Sequence, residues 1–528
     1  MKPTKTNHFQ GVGHVAEDFA MTRPHARKNT IALTAVCLAA LMFGLEISSV
    51  PVILPTLERV LQGDLEDMQW IMNAYTIACT TVLMASGTLA DRFGRKRMFI
   101  ISLVIFGITS LICGLAQQAS VLIISRFLQG IGAGAMIVTQ IGILSHQFQE
   151  GRERGRAFAI WGIVFGSGLG FGPLIGGAIV AVSNWQWVFL IHVALAVLTW
   201  VMVHGSVTES KDPHARKLDG MGIVTLSLAV FGLSYYIIQG RDFGFVSATG
   251  LIVIASTAGC FVAFLLVERL HPHPMFDFSV FKIRNFSGAI LGSMGMNFSF
   301  WPFMIYLPLY FQIGLGYDTV TAGLSLLAYT LPTLVFPPLA ERLALRYQPR
   351  TVIPPGMFII GLGFMLMRYG SSVAHASWLS MLPGALLAGI GLGLTNTPVT
   401  NTTTASVSSD RAGMASGIDL SARLISLAIN IAVMGFILVE GISSYLKSAL
   451  SEESPNRLRQ IAARVASGEL ISIERSLPDA SGAIVHAALA HGFGLVMLYG
   501  GVCIWVLAAA SFVIFGSRKI EARAATSA

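Results

Sequence analysis

Charge is what this sequence is short of. Asp, Glu, Lys and Arg make up 12% of its residues, about half the share usual in a soluble globular protein. So few charged groups cannot coat a water-facing surface for a chain of 528 residues, which excludes an ordinary soluble fold. The sequence also lacks the Gly-rich Lys-Ser/Thr loop that cradles nucleotide phosphates, the His-Glu-x-x-His zinc helix and the Gly-x-Ser-x-Gly nucleophile turn. A chain with many membrane spans and no nucleotide site must draw on an ion gradient or work passively, which argues against a primary pump. Cysteine is scarce as well: Cys37, Cys79, Cys113, Cys260 and Cys503 all fall in apolar runs, without metal or disulfide spacing. They read as small buried hydrophobes. No metal, cofactor, enzymatic activity or nucleic-acid partner is expected.

What the chain has in excess is apolar length. It is 54% hydrophobic and carries 54 glycines, the composition of a polytopic helical membrane protein. With roughly 20 residues needed per crossing, fourteen segments qualify: 31–54, 69–90, 98–117, 119–141, 157–181, 187–205, 221–239, 248–267, 286–311, 321–340, 351–369, 378–400, 412–439 and 489–515. The first thirty residues are polar and basic, with Lys2, Lys5, Arg23, Arg27 and Lys28. They precede a run too long for a signal-peptide core, so no cleaved leader is expected.

The densest polar stretch is Gly87-Thr-Leu-Ala-Asp-Arg-Phe-Gly-Arg-Lys-Arg-Met-Phe99, with four cations and one acid between two long apolar runs. Such a turn marks a tight cytoplasmic hairpin, because basic loops stay inside. Placing it inside fixes every other loop. Of 35 Lys and Arg, 25 then fall on the cytoplasmic side, 8 outside, and 2, Arg126 and Arg423, within spans. That asymmetry supports fourteen helices with both termini cytoplasmic. The tetrad Leu89-Ala-Asp-Arg92 recurs 250 residues later as Leu339-Ala-Glu-Arg342, at the cytoplasmic end of span ten. The repeat divides the chain into a tail (1–30), a six-helix half (31–205), two inserted helices with linkers (206–285), a second half (286–515) and a tail (516–528). The second half carries an outer loop, 440–488, in which 457–466 has the pattern of a short surface helix.

The stretch from Gly87, with Asp91, Arg92, Gly94, Arg95 and Lys96, strongly resembles the signature loop between the second and third helices of the major facilitator superfamily. Arg126-Phe-Leu-Gln129-Gly130 in span four resembles that family's Arg-x-x-Gln-Gly element. Leu45-Glu-Ile-Ser-Ser-Val-Pro-Val-Ile-Leu-Pro55 looks like the first-helix motif of the fourteen-helix drug:proton antiporters, with Glu46 in place of an aspartate. Gly168, Gly172, Pro173, Gly176 and Gly177 in span five match the element associated with antiporters. Just after Trp185-Gln-Trp187-Val-Phe189, the family's usual asparagine and proline appear here as His192 and Ala194. His192 reads as local variation.

The resemblance implies an all-α membrane protein of major facilitator fold, in the bacterial cytoplasmic (inner) membrane. It implies a proton-coupled antiporter for hydrophobic or amphiphilic compounds, working by alternating access. A dedicated exporter of an endogenous metabolite, such as a siderophore or an amphiphilic acid, is the alternative. Proton coupling falls to Glu46, Arg126 and Asp419, and the conformational latch to Gly87 through Lys96. Glu46 and Arg126 stand at similar depth, roughly 10–13 Å from the outer helix ends by the helical rise, so contact between them is permitted. Asp419 and Arg423 are four apart on one helix face. Phe298, Trp301 and Tyr306 in span nine and Asn396 in span twelve are candidates for the substrate cavity. The expected partners are a small-molecule substrate, protons and the lipid bilayer; a periplasmic adaptor and an outer-membrane duct are left open.

The loop asymmetry yields a direct test. In a protein whose five native cysteines are replaced, Val465→Cys should react with an impermeant thiol reagent in intact cells, while Gly94→Cys and His214→Cys should not. Labelling at position 214 would reject the fourteen-span topology.

Overall fold

The computed structural model describes residues 11–62, 65–149, 151–211, 219–270, 278–373, 375–450, 454–467 and 482–515. Residues 1–10 and 516–528 of the tails, residue 214, and 468–481 of the expected outer loop lie outside these. The described residues contain helices and no strand. In a bilayer an isolated span can satisfy its backbone polar groups only as a helix. Helices stand over all fourteen apolar segments. The first half comprises α1 (Gly11–Leu61), α2 (Leu65–Phe93), α3 (Arg95–Leu115), α4 (Ala119–Gln147), α5 (Gly151–Val182) and α6 (Gln186–Ser206). Next come α7 (Gly220–Phe243) and α8 (Ala248–Leu270).

The second half is less regular. Span nine is α9 (Arg284–Asn297) and α10 (Phe303–Leu309), followed by a π turn at Tyr310–Gly314. Span ten is α11 (Thr319–Thr330), α12 (Pro332–Val335) and α13 (Pro337–Tyr347). Regular spans return with α14 (Ile353–Ser371), α15 (Trp378–Ala405) and α16 (Ala412–Ala449), then the surface helix α17 (Pro455–Ser467) and the last span, α18 (Gly482–Phe515). Proline explains the breaks, since it removes one backbone donor and crowds the preceding turn. Pro302 and Pro308 interrupt span nine, while Pro332 and Pro337 interrupt span ten, which bends by 41°. Among the described residues, eleven helices are long and apolar enough to cross a membrane on their own, and the bent pair makes twelve; α2 and the broken span nine stand over the other two of the fourteen segments.

The two halves repeat one packing pattern. In the first, α1 lies along α5 and α6, α2 along α4, and α3 along α4 and α6. In the second, α9 lies along α16 and α18, α11 to α13 along α15, and α14 along α15 and α18. Each half is thus six helices with the same neighbours, as the repeated tetrad suggests. Between them α7 pairs with α8 and lies against α2 and α16. Asn73 of α2 donates to Gln239 of α7 at 3.1 Å, and the rings of Trp70 and Tyr235 stand 6.1 Å apart. The helix expected at 457–466 is α17, whose Leu458, Ile461, Ala462 and Val465 are buried in the core of the second half; the outer-side label expected at position 465 is therefore read at its exposed neighbour, as Arg464→Cys.

The close contact between α1 and α5 carries the antiporter-like glycines. Gly168, Gly172 and Gly176 recur every four residues, which lets two backbones approach closely. A Cβ on Gly168 would stand 2.9 Å from the Leu41 carbonyl oxygen and 3.1 Å from Gly44 Cα; one on Gly176 would stand 2.8 Å from Ser49 Cβ. The Ser48 hydroxyl donates to the Gly168 carbonyl at 2.9 Å. Gly177 faces Val52 at ordinary contact distance, and Pro173 sits inside the same helix. These contacts set where α1, and so Glu46, stands. Gly168→Val places branched carbons against backbone that cannot rotate aside, an overpacking cost of about 1–3 kcal/mol. The expected result is a lower melting temperature in detergent and loss of transport, whereas Gly177→Ala should keep both. An unchanged melting temperature for Gly168→Val would contradict this packing.

Candidate functional site

Arg126 is the side chain around which the first half is arranged. It points from α4 into the bundle interior and is fully buried. A buried guanidinium must be neutralised and hydrogen-bonded, or it destabilises the fold by several kcal/mol. Here Nη1 donates to Glu46 Oε1 in a short ion pair and to Gln129 Oε1 at 2.7 Å. Nε donates to the Ile71 carbonyl at 3.1 Å, and the Tyr75 ring centroid lies 4.2 Å from the guanidinium carbon. Gln129 Nε2 in turn donates to Ser110 Oγ at 2.8 Å. Residues of α1, α2, α3 and α4 thus meet at one cation.

A fifth helix, α6, reaches the same point. His192 of α6 is buried, and its Nδ1 stands 3.3 Å from Glu46 Oε2 and 3.0 Å from the Val188 carbonyl oxygen. Four buried polar atoms of the cluster have no hydrogen-bond partner among the described residues: Glu46 Oε2, His192 Nε2, Arg126 Nη2 and Tyr75 Oη. The sequence pointed to Glu46 and Arg126 and read His192 as local variation; the structure puts all three together. The available signal was a titratable residue where the family motif has an amide, but the register between α1 and α6 is not written in either helix.

In the second half, Asp419 of α16 is buried and fully partnered. It accepts a short hydrogen bond from Ser293 Oγ of α9, one from Thr400 Oγ1 of α15 at 3.3 Å, and the single Nε–H of Arg423, shared between its two oxygens at 3.2 Å each. Arg423 also donates to Asn396 Oδ1 at 2.5 Å and Thr400 Oγ1 at 2.8 Å. Asn396, expected in a cavity, therefore serves this ion pair. Of the span-nine aromatics, Phe298 and Trp301 are half-buried. Tyr306 is packed in the core of the second half, with its hydroxyl donating to the Ile431 carbonyl at 2.7 Å. Phe300 stacks on Tyr329 at 3.9 Å between centroids.

The signature loop occupies the junction between the halves. Asp91 Oδ1 accepts from Gly413 N at 3.0 Å and Oδ2 from Met414 N at 2.8 Å, two of the free amides at the start of α16. A helix N-terminus favours a carboxylate there. Arg95 pairs with Asp91 through Nη2 at 2.7 Å and donates onward to the Ser409 carbonyl at 2.5 Å. Gly87 and Gly413 permit this approach: a Cβ on Gly413 would stand 2.5 Å from Asp91 Oδ1 and 2.6 Å from the Gly87 carbonyl oxygen. Gly94 has φ of +109° and turns α2 into α3. Beside it the Glu209 carboxylate accepts from the amides of Lys96 and Arg97, each at 3.1 Å. Lys96 Nζ donates to the His204 carbonyl, and Arg92 stacks over Phe93. Arg92 and Lys96 thus sit beside the junction, where Gly87, Asp91 and Arg95 form it.

A second junction was not foreseen. Arg154 near the start of α5 donates to Asn401 Oδ1 at 2.6 Å and Thr404 Oγ1 at 2.7 Å, both on α15. Asn401 Nδ2 donates to Glu341 Oε2 at 2.7 Å. Glu341 is the residue that replaces the aspartate in the repeated tetrad. Its Oε2 lies 3.4 Å from where a Cβ on Gly155 of α5 would stand. Asp91 on α16 and Glu341 on α5 are therefore counterparts across the repeat. Both junctions lie at the end that carries the basic loops, and they join the halves there.

Comparison with known proteins agrees with this arrangement. The sequence profile of the Major Facilitator Superfamily matches residues 36–431. The multidrug resistance protein Stp of Mycobacterium tuberculosis is 30% identical over 435 residues, covering 82% of this chain and 80% of that protein. The tetracenomycin C resistance and export protein of Streptomyces glaucescens is 27% identical over 523 residues, covering 97% and 95%. Among solved structures, the proton:xylose symporter XylE superposes with a TM-score of 0.57 at 14% identity, over 92% of this chain and 95% of that one, a likeness of fold. Two six-helix halves with one packing pattern, a signature loop closing one end and a profile match across most of the length lead to one conclusion: this multi-pass membrane protein belongs to the Major Facilitator Superfamily.

Proposed function

We propose that the protein is a proton-coupled antiporter that exports hydrophobic or amphiphilic compounds, a multidrug efflux carrier of the bacterial cytoplasmic membrane with both termini cytoplasmic. The observation that carries the coupling is the Glu46–Arg126 pair, buried inside one half with one carboxylate oxygen that accepts no hydrogen bond among the described residues. The names of the Stp and tetracenomycin proteins support drug export. Segments 31–205 and 286–515 are the moving halves, 206–285 the insertion between them.

Alternating access then follows from the two junctions. With the basic-loop end held by Asp91 on α16 and Arg154 on α15, the state described is closed towards the cytoplasm. A proton arriving from outside neutralises Glu46 and loosens its hold on Arg126; substrate and proton compete for the same charge state. By linkage each weakens the other to the same degree. Exchange of one proton for one monovalent cation moves no net charge, leaving unused a membrane potential worth roughly 2.3 kcal/mol per charge per 100 mV. Use of the potential requires a second proton, which we assign to Asp419, the charge-paired acid of the other half.

Three substitutions test this in everted vesicles with ethidium as the transported cation. Glu46→Gln should abolish proton-driven efflux, and Glu46→Asp should keep much of it. Asp419→Asn should leave transport responsive to the pH gradient but not to the potential, each collapsed separately by an ionophore. Normal proton-coupled efflux by Glu46→Gln would remove Glu46 from the mechanism. Extending the screen to puromycin, a quinolone and an anionic siderophore separates a broad exporter from a dedicated one.

The junction has its own test. In Asp91→Asn an amide NH2 replaces an oxygen that accepts from a helix amide or from Arg95, so a donor faces a donor. Transport should fall at least about tenfold, a loss near 1.4 kcal/mol, while equilibrium ethidium binding in detergent stays near that of the unsubstituted protein. An equal loss of binding would place Asp91 in the substrate site.

A further inference from the structure

We propose that His192 is the proton relay of the Glu46 site, an inference that rests on Glu46 being the coupling acid. Both neighbours of His192 Nδ1, the Val188 carbonyl oxygen at 3.0 Å and Glu46 Oε2 at 3.3 Å, are acceptors. Nδ1 therefore carries the hydrogen of the neutral ring, and the lone pair is on Nε2. The Phe106 ring meets the imidazole edge-on, 5.7 Å between centroids, and holds its plane. The Nδ1 hydrogen is directed at Val188, so Glu46 Oε2 receives no hydrogen bond, and Nε2 has no partner among the described residues. One sealed cluster thus holds two proton acceptors without a donor, on either side of one ring. That is the arrangement a relay requires.

The step balances within the ring. A proton binds Nε2 and forms imidazolium; the Nδ1 hydrogen passes across the 3.3 Å gap to Glu46 Oε2; the ring is left neutral with its hydrogen on Nε2. The cluster gains one positive charge, because Arg126 is then no longer balanced. Release towards the cytoplasm reverses the same transfers. The other ionisable side chains of the cluster are Tyr75 and Cys79 on α2, Cys113 on α3 and Arg126 on α4. Phenol and thiol give up protons only in alkaline solution and guanidinium does not titrate, so none of them substitutes. Because the proton ends on Glu46, the ring governs how fast the site loads, as a positioned acid–base group does.

The test uses the full-length carrier in proteoliposomes containing a pH dye, with ethidium added and proton movement followed from about pH 5.5 to about 8.5, which brackets the imidazole range. In His192→Asn the side-chain amide can still donate towards Val188 but accepts no proton; His192→Gln provides a second geometry. For both, the initial rate of proton movement should fall about tenfold or more, while the melting temperature in detergent stays near that of the unsubstituted protein. In His192→Gly, added imidazole should restore much of the rate, a recovery that a packing role does not give. An unchanged rate in both variants, or a loss in His192→Gly that imidazole leaves as it is, would overturn the relay and leave His192 a packing residue. Proton movement persisting in Glu46→Gln would instead refute the coupling role of Glu46, a separate failure.

Discussion

A guanidinium inside a bilayer-spanning bundle has no water to turn to, and much of the first half reads as a response to that fact. Arg126 takes a carboxylate from α1, an amide from its own helix, a carbonyl and a ring face from α2, and brings α6 alongside. None of these partners is free to leave alone, because each departure would strand a buried charge. The glycine face of α5 completes the constraint by fixing the height and rotation of α1. The cost of burying an ion and the close approach of two backbones therefore hold Glu46 in place together.

The closed end works on a different principle. Asp91 is held chiefly by backbone amides at a helix start and by an arginine of its own loop. Across the repeat, Glu341 stands against the beginning of α5 but reaches it through Asn401 and Arg154 rather than directly. The longer chain of hydrogen bonds follows from the missing glycines. The first copy has Gly87 and Gly94 around its acid, the second does not, and the helix ends there do not approach as closely.

Much of this was legible in the sequence where a single segment carries its own evidence. Most of the fourteen apolar runs are helices long enough to stand alone, and the Gly87 to Phe99 loop announces itself by charge density. What the sequence conceals is relation. Glu46 and Arg126 share a depth that can be counted, yet nothing in span six says that His192 faces them. Arg154 looked like one more basic loop residue, although it is a buried junction between halves. The span-nine aromatics show the same limit: Phe300 and Tyr306 belong to a packed core and Trp301 to its margin, a distinction that depends on α14 and α16. The broken ninth and tenth spans were foreshadowed by Pro302, Pro308, Pro332 and Pro337, whose effect on continuity outweighed the hydrophobicity that joined them.

The inserted pair has a mechanical consequence. Helix α7 lies over the seam between α2 and α16, but its attachments to the two sides differ. To α2 it is tied by the Asn73–Gln239 hydrogen bond. To the second half it offers apolar side chains, Leu226 and Val230 against Ile290, Ala415 and Ile418. Lipid tails are as apolar as those residues, so such a contact can be traded for lipid at little cost, whereas a polar pair in hydrocarbon resists separation. In the alternating access proposed above, α7 would therefore stay with the first half and slide over the second on a greased face.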